Sequence, residues 1–226
     1  MQTFFITGTD TDAGKTVASQ LVLQELNKSS QHTLAIKPIS AGCERSAEGL
    51  RNQDALALQA ASGIQADYSI INPIAYEEAI APHLAAAKYG EQLRLEDLQS
   101  CLEKARRLNP RWLLIEGAGG WRLPLDNEGH YFSDFALQNQ MKVILVVGMR
   151  LGCLNHAILT HQSIRNDGLQ CVGWIANQVQ PDMPFYHENL KSLQALLPSP
   201  MLAEVPYQRP PFSSIYTRPE FLKVFR

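Results

Sequence analysis

Hydrophobic positions along the chain follow two alternating rhythms. Strand-length segments, apolar but for Thr33, Lys37, Gly173 and Glu204, occupy residues 4–6, 33–37, 112–115, 143–147, 172–176 and 201–205. Between them lie stretches with apolar residues at helical spacing: 17–26, 54–61, 93–108, 133–140, 156–165 and 185–197. In the first of these Val17, Leu21, Val22 and Leu26 lie along one face. In 93–108 the stripe is Leu98, Cys101, Leu102, Ala105 and Leu108, with Glu96 and Asp97 early, Lys104, Arg106 and Arg107 late, and Asn109-Pro110 as the stop. Strands alternating with helices, and apolar over most of their length, predict an α/β fold: a doubly wound, mostly parallel sheet with helices on both faces. Such a sheet puts its chemistry at the carboxyl ends of the strands. Residues 40–52 show neither period, 67–90 read as loop with short pieces of structure, and 208–226 receive no assignment.

Composition narrows the field. At 226 residues the pattern predicts a single domain. A net charge of −2 with well-mixed signs gives no sign of a nucleic-acid or polyanion partner. Cys43, Cys101, Cys153 and Cys171 are far apart with no C-x-x-C pair, which fits buried thiols in a reducing compartment. The chain opens on a strand rather than a signal core, and no apolar run is long enough for a bilayer. The expectation is a soluble cytoplasmic protein.

The first strand leads straight into Gly8-Thr9-Asp10-Thr11-Asp12-Ala13-Gly14-Lys15-Thr16-Val17. Strand, glycine-bounded loop and helix is the context of a phosphate loop. Gly8 and Gly14 allow the backbone close to a ligand, and loop amides with the helix start form an anion site. Lys15 brings an ammonium to the phosphates, and the Thr16 hydroxyl can ligate Mg²⁺. Five residues separate Gly8 from Gly14, one more than in the common form. A nucleoside triphosphate site follows.

Other strand ends carry polar residues. Lys37 is either an exposed lysine or a second cation aimed at phosphates or an anionic substrate. Glu116 follows four apolar residues and precedes Gly117, Ala118, Gly119 and Gly120. A carboxylate in that place is the usual second anchor for Mg²⁺, its alternative being a cap or a buried ion pair. Asp54, near a helix start, suits capping and metal binding equally. The turn from Gly148 to Asn155 offers amide groups to a carboxylate, or is an ordinary strand–helix turn. Asn177 could read a base, and Gln178 breaks the guanine-reading N-K-x-D pattern, which favours adenine. The histidines show no metal-ligand spacing, and no G-x-S-x-G occurs.

Together these residues resemble the dethiobiotin synthetase family. The match rests on the loop 8–16, Lys37-Pro38, the run 50–58 (Leu-Arg-Asn-Gln-Asp-Ala-Leu-Ala-Leu), Glu116-Gly-Ala-Gly-Gly-Trp121, Leu151-Gly-Cys-Leu-Asn-His156 and Trp174-Ile-Ala-Asn177. The longer phosphate loop belongs to that family's pattern. The resemblance implies a P-loop NTPase fold and an ATP-dependent cyclo-ligase that closes the ureido ring of dethiobiotin from 7,8-diaminononanoate and CO₂. It implies a carbamate and a carbamic–phosphoric anhydride on the way. Lys37, Lys15 and Thr11 would be catalytic, and Thr16, Asp54 and Glu116 would hold Mg²⁺. ATP would be bound by Asp12, Ala13, Gly14, Lys15, Thr16 and Val17, with Asp54, Glu116, Gly117, Ala118 and Gly119 beside them. Asn177, Gln178, Pro206, Tyr207 and Gln208 would take the adenine side. Diaminononanoate would lie on Thr11, Lys37, Ser40 and Ala41, and its carboxylate on Leu151, Gly152, Cys153, Leu154 and Asn155 across a homodimer interface. Ala41 stands where the family often has Ser, so Ser40 or a backbone N–H would supply that contact. Gln178 replaces a frequent Asp. A nucleotide-driven switch or partition protein shares the fold, but it carries a second loop lysine that this sequence lacks. An amidase of the cobyrinate type would need a glutaminase domain, for which the chain has no room.

Overall fold

The computed structural model describes residues 1–207 and 216–226. In chain order the elements are β1 (Gln2–Gly8), α1 (Lys15–Asn27), β2 (Thr33–Ile36), β3 (Ile39–Ser40), β4 (Glu44–Ser46), β5 (Gly49–Arg51), α2 (Gln53–Ala61), α3 (Tyr68–Ile71), β6 (Ile74–Ala75) and α4 (Pro82–Lys88). There follow α5 (Leu95–Arg106), β7 (Trp112–Gly120), α6 (Phe132–Gln138), β8 (Lys142–Met149), α7 (Cys153–Asn166), β9 (Cys171–Gln178), α8 (Tyr186–Leu196), β10 (Met201–Val205), β11 (Tyr216–Thr217) and α9 (Phe221–Val224). The central sheet runs β11-β10-β9-β8-β1-β7-β2. Its strands are parallel except β11, which pairs antiparallel on the β10 edge.

Alternation along the strands builds a core on each face. Phe5, Leu113, Ile115, Val143, Leu145 and Trp174 point to the side covered by α5, α6, α7 and α8. Phe4, Ile6, Leu114, Ile144, Val146 and Ile175 point to the other, where α1 lays down Ala18, Leu21, Val22 and Leu26. Period-two side chains on apolar strands thus need helices on both faces.

The structure revises three sequence expectations. β7 does not stop at Ile115 but continues through its glycines, with Gly120 opposite Gly8 after a register shift, so Glu116 lies inside the strand rather than at its end. Residues 40–52 are not irregular: β3 pairs with β6, and β4 with β5 as a short hairpin. These pieces have only two or three residues each, too few to establish a period. α7 starts at Cys153, not His156, because Gly152, at φ 93°, turns the chain into the helix one turn early.

The unassigned tail, where it is described, adds two aromatic rings to the core. Phe221 and Phe225 bury themselves on the α1 side, Phe225 against Phe4 at 4.7 Å between ring centroids. Trp112 Nε1 donates to the Phe225 carbonyl at 2.9 Å. Burying two such rings contributes about 3–6 kcal/mol.

Candidate functional site

β1 is the switch point of the sheet, with β7 on one side and β8 on the other. The loop that leaves it lies in the crevice at the carboxyl ends, where a doubly wound sheet binds ligands. Gly14 ends this loop as the N-cap of α1 at φ 84°. Besides that left-handed backbone, a Cβ there would collide with the Asn177 amide, so only glycine fits. Asn177 is itself buried, and its amide donates to the Ala13 carbonyl at 3.0 Å. Asp10 Oδ1 accepts from the Thr11 N–H at 2.8 Å, and Asp10 Oδ2 from Arg150 at 2.6 Å, tying the loop to the segment after β8.

A cavity of about 640 Å³ opens over the loop. Thr11, Asp12, Gly14, Lys15, Thr16, Val17, Lys37, Ser40, Ala41, Asp54, Ala118 and Gly119, all singled out in the sequence, lie on its wall. Asn52, Leu123 and residues 79–82 complete it. The small elements between β2 and α5 therefore roof the site.

Charge is concentrated at its base. Lys15 Nζ donates to the Gly119 carbonyl at 2.7 Å. Burial lowers the Lys15 ammonium below the ordinary lysine value. Lys37 is buried, so the exposed-lysine alternative is excluded. Its Nζ donates to Asp54 Oδ2 and, at 3.1 Å, to Glu116 Oε1. Burial works against the Lys37 charge, but Glu116 and Asp54 outweigh it and raise its pKa. Burial likewise works against ionised Asp54, and Lys37 outweighs it and holds that carboxyl below the usual range. Capping of α2 falls to Asn52, whose side chain accepts from the Ala55 N–H, which leaves Asp54 free for the lysine.

Glu116 is fully buried. Thr16 Oγ1 donates to its Oε1 at 2.8 Å and Ser19 Oγ to its Oε2 at 2.9 Å. Thr16, Asp54 and Glu116 thus present a hydroxyl and two carboxylates around one point beside the phosphate loop. Hard oxygen donors of this kind fit Mg²⁺, which takes one or two carboxylates and completes its shell with phosphates and water.

Asn177, Gln178, Pro206 and Tyr207 gather at the ends of β9 and β10, next to Gly14, with the Tyr207 N–H donating to Gln178 Oε1 at 3.4 Å. Gln208 lies outside the described residues. Ala13 and Gly117 pack behind the wall, Ala13 against Gly148 and Gly117 against the Phe5 ring. The segment 151–155 is not on the cavity wall. Leu151 is 97% exposed, whereas the Cys153 side chain turns into the core because it sits on the inner face of the first turn of α7. Ser40 donates its hydroxyl to Asn72 Oδ1 at 2.8 Å. Asn72 in turn donates to the Lys37 carbonyl at 2.7 Å. Ser19, Asn52 and Asn72 were missed in the sequence. Ser19 left a trace there, three residues after Thr16 on the same helical face, and so did Asn52, within the run 50–58.

The chain has known relatives in sequence and in fold. The family model described as an AAA domain matches residues 2–210. An ATP-dependent dethiobiotin synthetase of Aeromonas hydrophila is 44% identical over 95% of this chain and 94% of its own. That of Cellvibrio japonicus is 49% identical over 90% and 88%, and that of Escherichia coli K12 43% identical over 90% of each. Among solved structures, the septum site-determining protein MinD of Pyrococcus horikoshii, complexed with Mg-ADP, superposes with a TM-score of 0.58 at 15% identity, covering 92% of this chain and 82% of that one. The MinC:MinD complex of Aquifex aeolicus reaches 0.56 at 15% identity, covering 100% and 85%. These two establish the fold alone. With a phosphate loop, a second buried lysine and an oxygen-donor cluster in one cavity, and with full-length relatives at this identity, the chain belongs to the ATP-dependent dethiobiotin synthetase family.

Proposed function

We infer that this chain closes the ureido ring of dethiobiotin from 7,8-diaminononanoate and CO₂, with ATP converted to ADP and phosphate. The observation that carries this reading is the placement of Lys15, Lys37, Thr16 and Asp54 on one wall, with Glu116 directly behind. One amine of the substrate adds its nitrogen to the carbon of CO₂ and loses a proton, giving a carbamate. A carbamate oxygen then forms a bond to the γ-phosphorus as the bond to ADP breaks. The second amine attacks the carbonyl carbon, and phosphate leaves as the ring closes.

Little of this asks for covalent help from the protein; it asks for alignment and charge neutralisation. Lys15, with the loop amides, holds the β- and γ-phosphates, and Lys37 meets the charge that develops on the carbamate and the transferring phosphoryl group. Thr11 donates from the substrate side. Thr16, Asp54 and Glu116 would hold Mg²⁺, which when bound neutralises phosphate charge. Asn177, Gln178, Pro206 and Tyr207 would border the adenine.

The reading includes a homodimer. The turn 151–155 lies off the cavity wall of its own chain, its exposed Leu151 suits contact with a second copy, and α7 begins there at Gly152. It would then receive the carboxylate of the diamine bound to a neighbour. No helix among the described residues is long and apolar enough to cross a membrane. A cytoplasmic location is part of the proposal.

The test is ADP release with and without diaminononanoate and bicarbonate, with dethiobiotin followed by mass spectrometry. Release that depends on both, matched by product, is expected. ATP turnover indifferent to the diamine would instead favour a nucleotide switch.

A further inference from the structure

Along the strand that carries it, Glu116 is the one departure from an apolar run, and it points to the α1 side with Trp112 and Leu114. On that side α1 offers a stripe at helical spacing: Thr16 and Ser19, then Leu23 and Leu26. The stripe is apolar except at its first two places, and both hydroxyls face the carboxylate. Thr16 takes Oε1 at 2.8 Å and Ser19 takes Oε2 at 2.9 Å. Lys37 shares Oε1 at 3.1 Å. Thr16 and Lys37 both line the cavity; Ser19 does not and has no exposure.

We propose that Ser19 is a positioning residue for the metal carboxylate, holding the inner oxygen of Glu116 so that the outer one stays aimed at Thr16 and the cavity. This rests on the metal reading of Glu116 given above. A glutamate side chain has three rotatable bonds, and a carboxylate gripped at only one oxygen can rotate about the last of them. With Oε2 tied to a helix that itself carries Thr16, the Thr16 hydroxyl and the outer Glu116 oxygen, which would hold an ion, move as one unit. Partners behind a metal ligand typically change metal affinity 10–100-fold when removed.

A purely structural Ser19 would satisfy a buried acceptor and affect stability alone. The two roles separate in Mn²⁺ binding to the enzyme–ADP complex, read by electron paramagnetic resonance, for the parent, Ser19→Ala, Glu116→Gln and the double variant. Thermal midpoints and ADP binding without metal would be recorded beside them. Ser19→Ala should weaken Mn²⁺ about 10-fold or more while ADP alone binds as before. Its half-saturating Mg²⁺ in turnover should rise by a similar factor, with turnover at saturating Mg²⁺ changed far less. Ser19→Cys, close in size but a weaker donor, should fall between. In the Glu116→Gln background Ser19→Ala should add nothing, since it acts through that carboxylate. Unchanged Mn²⁺ binding in Ser19→Ala, beside weakened binding in Glu116→Gln, would overturn the inference and leave the metal site standing. Additive losses would overturn it too. If Glu116→Gln itself binds Mn²⁺ like the parent, the metal reading of Glu116 fails and this inference with it.

Discussion

Lys37 is where structure and chemistry make the sharpest demand. Its ammonium bonds to two carboxylates, one of them fully buried. Lys37→Gln removes the charge and keeps a shorter side chain with an amide. Breaking a buried pair from one side costs about 3–5 kcal/mol. The amide can restore one neutral hydrogen bond worth about 1 kcal/mol, and half-exposed Asp54 can turn to water. A net loss of about 2–4 kcal/mol follows. For a chain of this size each kcal/mol is about 2–4 °C, so the melting midpoint should fall by about 4–16 °C. Turnover should fall further than stability explains. A donor that acts mainly in the transition state is worth about 10²–10³-fold, or roughly 3–4 kcal/mol. ATP should bind nearly normally, because Lys15 and the loop amides remain. Steady-state ADP release well below the melting midpoint, direct ATP binding and thermal denaturation measure the three quantities separately. Turnover within fivefold of the parent would refute the catalytic role. An unchanged midpoint would refute the buried pairing, and a loss confined to ATP affinity would make Lys37 a nucleotide anchor.

Further expectations follow from the same site. The raised Lys37 supports the fold fully below the ordinary lysine value of about 10.4 and loses that support as pH rises through its own higher value. Lowered Asp54 contributes above the ordinary value of about 3.9 and loses it as pH falls through its own lower one. The stability gap between parent and Lys37→Gln should therefore be flat from about pH 5 to 9 and narrow below about pH 4, as urea denaturation across pH would reveal; a gap that titrates near pH 7 would contradict the pairing. Gly14→Ala should abolish nucleotide binding, because the new Cβ would sit on a left-handed backbone and run into the Asn177 amide; calorimetry of ADP binding decides. Lys15→Ala and Asn155→Ala subunits, each inactive alone, should regain activity when mixed if the turn 151–155 serves a neighbour, and exchange without recovery would place each site within one chain.

Much of this molecule is legible from local order. The phosphate loop needs only residues close in sequence, since a strand, two glycines and Lys-Thr at a helix start specify backbone and chemistry together. The long elements were equally readable, because unbroken apolar runs and i, i+3, i+4, i+7 stripes persist over enough residues to declare a period. β10 was predicted with the bounds it has, and β8 within two residues at either end. Pieces of two or three residues, β3 to β6, carry no period and took shape only by pairing with one another.

Tertiary structure decided the rest, where residues distant in the chain must choose partners. Asp54 suited capping and metal binding equally until Asn52 took the cap and Lys37 took the carboxylate. Lys37 looked like either a surface lysine or a site cation until burial beside Glu116, 79 residues away, removed the surface alternative. The tail aromatics had no reading because their partners, Phe4 and Trp112, lie at the other end of the chain and mid-chain. Local sequence sets which groups a segment can offer; only the packed fold brings the opposite charge, the missing donor or the covering face close enough to decide among them.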